Sequence, residues 1–544
     1  RRTAMRMFPA AGFFVALVAA AFLIASSALS RTTSSQTMPP QIWYRGASAD
    51  PGSLDPHKTS TVIESDVLTE LYEGLVARDR FGAIIPGVAD TWSSNAQMTV
   101  YTFHLRGDAR WSNGDPVVAE DFVFAFRRLM KPQTGAQYAN ILYTLKNAEK
   151  VNKGVLPVED LGVRALDDEH LELTLERPVP YLLEQLTHLT ALPLHRASVE
   201  RFGDAFARPG KMVSNGPFML QDFMPNDHLV LVKNPYFHAA GEVALEKEIF
   251  VPFEDRAAAL RRFMAGEIES YDDVPVDQIA FVRARLGDEF KCFSTLASYY
   301  YAFDTRHPPF DDVRVRRALS MVIDRDFLAR RIWGGTMEPS YSFVPPGIAS
   351  YGKPSMVTWS NEDPFTREDE AKRLLQEAGF GPGGKPLAVE IRFNTSENHK
   401  ATAVAIADMW RVLGIDVRLM QTDATSHYAF LYSKAPYDVA RSGWFADFAD
   451  AQNFLFLGES SNKSLNAANF SNPVFDALMR DAAQAPDPAA RSVLLHKAEA
   501  VLLDEQPYLV LLSFQSRNLV AKKLHGWEPN VLNVHSGRFI SIGP

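Results

Sequence analysis

The stretch LAVEIRFNTSENHKATAVAIADMWRVLGIDVRLM, Leu387 to Met420, decides the fold class. LAVEIRF (387–393) and IDVRLM (415–420) each have the β-branched, alternating character of a strand. The run from His399 to Leu413 between them has helical spacing, and Gly414 stands where a helix ends in a left-handed residue. A strand, a helix and a strand in this order form a crossover unit, which requires two parallel strands and a covered sheet. The chain is therefore expected to be α/β.

A further helix, SHYAFLYSK (426–434), leads into YDVARSGWFADFAD, 437–450. Its first half reads as another strand, so Arg441 to Asp447 are expected at or beyond the strand's carboxyl end, where ligands bind in open α/β sheets. A solvated loop would not carry Trp444, Phe445 and Phe448, and a plain core strand would not carry one charge of each sign. Arg441 and Asp447 form either an internal ion pair, a pair of surface charges, or two halves of a ligand site. Buried charges awaiting a partner persist only where something completes them. A carboxylate and a guanidinium facing one cavity suit a zwitterion, the first taking an ammonium and the second a carboxylate.

Outward from this centre, QIWYRG (41–46) and YTFHLR (101–106) read as strands, and SDVLTELYEGL (65–75) as a helix with Val67, Leu68, Leu71 and Leu75 on one side. AEDFVFAFRRLM (119–130) reads as a helix with acids in its first turn and arginines in its last, as the helix dipole favours. Tyr299, Tyr300 and Tyr301 would alternate sides in a strand, so at least one ring is expected to face away from the core. No repeat of solenoid or propeller length is present.

At 544 residues the chain exceeds one ordinary core, and two or three lobes are expected. A content of 46% apolar and 22% charged residues is that of a folded protein, and the net charge of -9, without a Lys/Arg cluster, argues against a nucleic-acid partner. The single cysteine, Cys292, cannot form an internal disulfide and removes thiolate metal sites. RRTAMRM followed by a charge-free run to Arg31, with Ala28-Leu29-Ser30 as a small-residue cleavage site, reads as a secretory signal, with an uncleaved membrane anchor as the alternative. No cysteine follows it to carry a lipid. RTTSSQTMPPQ (31–41) reads as a linker.

Catalytic motifs are missing: there is no HExxH, no GxSxG and no His pair at ligand spacing. GFGPGGKP (379–386) has phosphate-loop spacing up to its lysine, but Pro386 replaces the metal-binding hydroxyl and a strand follows where a helix should open, so a surface loop is expected. His399, at the start of its helix near the crevice edge, is a candidate contact for an anionic group.

Several further segments carry a resemblance. YTFHLRGDARWSNGDPVVAEDFVFAFRRL (101–129), VSNGPFML (213–220), NPYF (234–237), AGEIE (265–269), PPFDDVRVRRALSMVIDRD (308–326), EAKRLLQEAGF (370–380) and YDVARSGWFADF (437–448) occur in the order of one family. From about Gln41 to its end the chain resembles the extracytoplasmic oligopeptide-binding proteins of ABC importers, the family 5 solute-binding proteins. The resemblance implies a periplasmic binding protein-like fold of the class II, cluster C type: two α/β lobes with a hinge and a smaller inserted domain. It places a signal or anchor and linker in 1–38, lobe I in 39–72, 195–297 and 512–544, the inserted subdomain in 73–194, and lobe II in 298–511. The lobes would close over an extended peptide held largely through its main chain.

By position, Asp447 would bind the peptide's ammonium, and Arg441 and His399 its terminal carboxylate. Backbone groups of Gly443, Phe445 and Val62 would pair with the peptide, while Trp444 and Tyr300 would wall side-chain pockets. The implied protein is a periplasmic or otherwise extracytoplasmic monomer that is not a lipoprotein. It would deliver short peptides to the membrane permease subunits of an ABC importer, without catalysis, cofactor or metal. The same fold binding a cell-wall peptide, a signalling peptide or a metal chelate is the near alternative, and a secreted peptide hydrolase the distant one. The chain departs from the family's pattern at Ser60 (a glutamate in close relatives), at His307 (a lysine), and at Ala297 and Phe445 (a cysteine pair), which leaves the preferred peptide length open.

Overall fold

The computed structural model describes residues 40–59, 61–136, 138–381, 383–463, 465–485 and 487–544; the expected signal segment in 1–38 and Ser60 lie outside them. In the crossover unit, strands Ala388–Asn394 and Asp416–Thr422 run parallel, in register from Ala388↔Asp416 to Asn394↔Thr422. Helix Glu397–Trp410 connects them. It starts where the Ser396 side chain accepts a hydrogen bond from the His399 N–H, a cap for a donor the first turn cannot satisfy. It ends through a short 3₁₀ turn at Gly414, whose φ of 72° favours a residue without Cβ. Thr402, Ala403, Ile406 and Trp410 form its buried face, and Trp410 Nε1 donates to the Leu319 carbonyl at 2.9 Å.

These strands edge a six-stranded sheet in the order Met337–Pro339, Tyr508–Gln515, Ser294–Phe303, Val439–Phe445, Ala388–Asn394, Asp416–Thr422. A second, seven-stranded sheet contains Phe290–Lys291, Asn518–Val520, Ser270–Tyr271, Ile42–Ala47, Lys247–Pro252, His228–Lys233 and Phe218–Met224 in that order. A four-stranded antiparallel sheet, Ala89–Ser94, Val100–Leu105, His170–Thr174 and Val163–Ala165, packs beside helix Ala119–Met130. The chain passes between the two large sheets at 292–293 and again at 516–517. The two passages are tied to each other: the Ser516 N–H donates to the Phe293 carbonyl at 2.8 Å, and the Phe293 N–H to Ser516 Oγ at 3.3 Å. Two short, adjacent connections of this kind are the form that hinges between lobes take.

Some expectations are corrected. The helix expected over 65–75 is Val62–Leu71; it stops because Tyr72 is extended, although Leu75 is still fully buried. Arg441 lies inside strand Val439–Phe445 rather than at its end, because antiparallel pairing with Ser294–Phe303 continues to Ala297↔Phe445. On its other side the strand pairs with the crossover unit only at Ile391↔Val439 and Arg392↔Ala440. Arg441 is thus the first residue past that parallel pairing. None of the three tyrosine rings faces away from the core: Tyr299, Tyr300 and Tyr301 are exposed by 0, 2 and 0%. Their strand is flanked on both sides and covered on both faces, so alternation there separates two interiors. Phe380 bridges to Lys385 ahead of strand Ala388–Asn394, so a strand and not a helix follows the lysine, as expected. Among the described residues no helix is long and apolar enough to cross a membrane.

Two separate buried clusters fill the molecule's larger parts, and residues 444–450 join them. Trp444 packs on the cluster around the six-stranded sheet, while Phe448 belongs to the cluster that includes Trp43 and the four-stranded sheet. Phe448 stacks on Tyr181 with ring centroids 5.4 Å apart and planes 7° off parallel. The Ala449 N–H donates to Glu184 at 3.1 Å. Behind them, buried Asp450 accepts a two-pronged bond from buried Arg491, at 2.8 and 2.7 Å, and the Arg491 guanidinium lies 5.3 Å from the Tyr181 ring. Removing one member of such a pair strands the other charge out of water. Arg491→Leu is expected to lower stability by about 3–5 kcal/mol in urea unfolding, while Lys153→Ala, at the exposed Lys153–Glu149 pair, leaves the midpoint unchanged. A small loss at Arg491 would show that the joint is held by the aromatic stack alone.

Candidate functional site

Asp447 is the first residue of interest beyond strand Val439–Phe445. Its N–H donates to Asn453 Oδ1 at 3.0 Å, and Asn453 Nδ2 reaches its carboxylate at 3.4 Å. The same Asn453 Oδ1 accepts from Trp444 Nε1 at 3.0 Å. One buried amide therefore orients both the indole and the aspartate. No cationic side chain among the described residues lies within ion-pair distance of the Asp447 carboxylate. Burial pushes its pKa up to about 6, only partly opposed by the Asn453 bond.

Phe445, Ala446 and Asp447 line one side of a cavity of about 300 Å³. The other side comes from the first helix and from the C-terminal segment, including Val62, Asp66, Leu532, Ser536 and Phe539. Val62 is 66% and Phe445 60% exposed. The Asp66 carboxylate is already paired with Arg45 at 3.0 Å, and Arg538 in the same wall with Glu73 at 3.3 Å. Asp447 and Asp79 are the acids of this lining without a cation in ion-pair range among the described residues; Asp79 Oδ1 instead accepts the Phe81 and Ala83 N–H groups of its own turn.

Arg441 occupies a second centre, four residues back along the strand from Phe445. It is 7% exposed. Its Nη1 donates to Tyr428 Oη at 2.6 Å and to Asn394 Oδ1 at 3.1 Å, its guanidinium lies 5.0 Å from the Tyr299 ring, and its Nε has no partner. Among the described residues no carboxylate lies within 4.0 Å of it. Tyr299 Oη is 3.1 Å from His399 Nδ1. Burial, followed by the Arg441 charge, lowers the His399 pKa to about 3. His399 is neutral at pH 7 and offers a hydrogen bond rather than a charge. His427, also held below its usual pKa by burial, approaches the Arg441 carbonyl with Nε2 at 2.8 Å.

The structure thus brings Val62, Phe445 and Asp447 to one cavity and gathers Arg441 and His399 around Tyr299, with Gly443 between the two centres. A Cβ at Gly443 would lie 3.1 Å from the Ser298 carbonyl and 3.6 Å from the Arg441 guanidinium, so a side chain there would crowd both. Trp444 faces the Asn453 and Phe456 side. Tyr300 does not front the cavity. It packs between Phe343 and Tyr508, centroids 5.2 and 5.0 Å away, because its register partner Ser442 faces the opposite side of the sheet from Arg441 and Gly443. The aromatic residue that does meet the Arg441 centre is Tyr299. Ala297 and Phe445, the positions at which the resemblance expects cysteines, are register partners, and His307 Nε2 sits 3.5 Å from Asp304. Among the described residues no cluster of His, Cys, Asp or Glu is placed to hold a metal ion.

Two α/β lobes joined by paired passages, with charged groups waiting in and beside the space between their walls, define a two-lobe binding protein. The chain belongs to the bacterial extracellular solute-binding proteins of family 5, whose middle-region model matches residues 83–466. It is 34% identical over 528 residues to the periplasmic oligopeptide-binding protein OppA of Escherichia coli strain K12, covering 96% of this chain and 95% of that one. The fold superposes with a TM-score of 0.83 on the unliganded open form of the periplasmic murein tripeptide-binding protein MppA (32% identity; 92% of this chain, 97% of the other). On Haemophilus influenzae OppA in complex with the peptide RPPGFSPFR the TM-score is 0.77 (34% identity; 92 and 99%).

The Asp447 pKa has a consequence for stability. In the unfolded chain this carboxyl ionises near 3.8 and in the folded chain near 6. Between these values the folded state holds the proton more tightly, so stability falls as pH rises through the window. Asp447→Asn is expected to raise the stability of the ligand-free protein by about 1–3 kcal/mol at pH 7, with the gain largely gone at pH 4. Thermal melting at both values checks this. A variant that melts lower at pH 7 would make the aspartate a structural residue.

Proposed function

We propose that this protein captures short peptides outside the cytoplasm and delivers them to the membrane permease subunits of an ABC importer. The observation that carries the reading is a pair of opposite charges, Asp447 half-buried and Arg441 buried, neither with a counter-ion among the described residues. A free peptide brings the two missing partners on one molecule: an ammonium for Asp447 and a carboxylate for Arg441, with His399 as a neutral donor beside it. The backbone of Val439–Phe445 past the parallel pairing, left open by Gly443, offers main-chain groups to an extended ligand. Recognition through termini and main chain tolerates many side chains. The relatives OppA and MppA, an oligopeptide-binding and a murein peptide-binding protein, support the same reading.

In this proposal residues 1–38 direct export to the periplasm or its equivalent, and lipid attachment plays no part. Lobe I comprises 39–72, 195–297 and 512–544, the inserted subdomain 73–194, and lobe II 298–511. The passages at 292–293 and 516–517 serve as the hinge, and closure buries the ligand. The protein acts as a monomer without catalysis, cofactor or metal.

Isothermal titration of ligand-stripped protein against matched tripeptides with free and acetylated N-termini tests the reading. The free form is expected to bind, and acetylation to weaken binding by roughly ten- to a hundredfold, the value of one charge-assisted bond of about 1.5–3 kcal/mol. Mass spectrometry should recover the peptide intact. Equal binding of both forms would remove Asp447 from the site, and cleavage would make the protein a hydrolase.

A further inference from the structure

Phe445 is a large aromatic side chain left 60% exposed at the end of a strand whose other residues are buried or half-buried. Its ring is not loose on the surface. It rests against Phe514 with centroids 4.7 Å apart, and Phe514 in turn packs against Tyr299 at 6.1 Å and Trp333 at 6.5 Å. Register places Arg441, Gly443 and Phe445 opposite Tyr301, Tyr299 and Ala297. One face of the sheet therefore reads, in order, a cation, a bare glycine and an aromatic ring, with the Asp447 carboxylate two residues further on. The partner position, Ala297, is small and fully buried, so the sheet offers the ring no side chain directly opposite to pack on.

Across the cavity, Val62 is 66% exposed, and Leu532 and Phe539 are half-buried. Apolar groups thus stand on both walls of the space that contains Asp447. Apolar groups gathered around one cavity, unlike singly exposed ones, mark a place where a ligand's apolar groups can be covered.

We propose that the Phe445 side chain is a specificity determinant: with Phe514 beneath it and Val62 opposite, it forms an apolar shelf for a hydrophobic side chain within the first two residues of a bound peptide. The inference rests on the peptide-binding reading above and adds a selectivity to it. Backbone recognition by itself is indifferent to side chains, whereas the shelf rewards apolar ones through the area it removes from water. Its position two residues from Asp447 assigns it to the ammonium end of the ligand.

The test compares tripeptides of alanine that carry either leucine or serine at position one, two or three, titrated calorimetrically into the full protein and into Phe445→Ser. The readout is the ratio of dissociation constants for the serine and leucine peptides, which an overall change in affinity does not move. Burial of a leucine side chain against the shelf is expected to give a ratio of about ten at position one or two and near one at position three. In Phe445→Ser the ratio should fall to near one at every position, and Phe445→Leu should keep it. Thermal melting, lowered in Phe445→Ser only by its lost contact with Phe514, should show both variants folded at the titration temperature. A ratio near one in the unaltered protein, or a ratio that survives in Phe445→Ser, overturns the shelf while leaving peptide binding intact. Failure of every free-amine tripeptide to bind the unaltered protein overturns the peptide reading and the shelf with it.

Discussion

A carboxylate taken partly out of water with no cation beside it raises the free energy of the protein that holds it, and Asp447 is held in this state by its surroundings. Asn453 fixes its backbone and touches its side chain, Trp444 is tied to the same amide, and the next residue, Phe448, is stacked on Tyr181. The backbone that carries the aspartate is anchored in two cores. Protonation relieves the carboxylate at low pH, and in the proposed reading a positive group entering the cavity does so at neutral pH. Arg441 presents the complementary case: its neutral hydrogen-bond partners satisfy part of the guanidinium, and the missing component is a negative charge. The rest of the molecule supplies the walls, the joint and the means of covering what binds.

That arrangement explains why the 444–450 segment is so rich in aromatic residues. It spans two buried clusters, so it needs an apolar anchor at each end, Trp444 on one side and Phe448 on the other, with polar residues allowed only where a specific partner waits. Asp450 has that partner in Arg491. Asp447 does not. The contrast between two aspartates three residues apart, one neutralised and one not, is what marks Asp447 as the candidate for binding.

Much of this could be read from the residues. The crossover unit was legible because both of its strands alternate and Gly414 marks the end of the helix, and helix Ala119–Met130 because its acids and arginines sit at opposite ends. The placing of Arg441 and Asp447 six residues apart among small and aromatic residues pointed to the site region. Three things were not legible. The direction of Tyr300 was hidden because a central strand covered on both faces has no solvent side, so alternation cannot say which interior a ring enters. Asn453 carried no signal, since an asparagine in the first turn of a four-residue helix is ordinary and its role appears only when the chain folds back on Trp444. The exposed ring of Phe445 could not be distinguished from a buried one, because exposure there depends on the cavity wall opposite, built from residues near 62 and 532–539.

The most direct measurement is proton exchange on binding. Titration of a free-amine tripeptide at pH 6, in buffers of differing ionisation enthalpy, counts the protons lost when the complex forms. Asp447 is about half protonated at that pH in the ligand-free protein, and an ammonium beside it would drive the proton off. The account predicts release of up to about half a proton per peptide, absent in Asp447→Asn. No release, or the same release from the variant, would contradict the claim that this carboxylate waits for the ligand's charge.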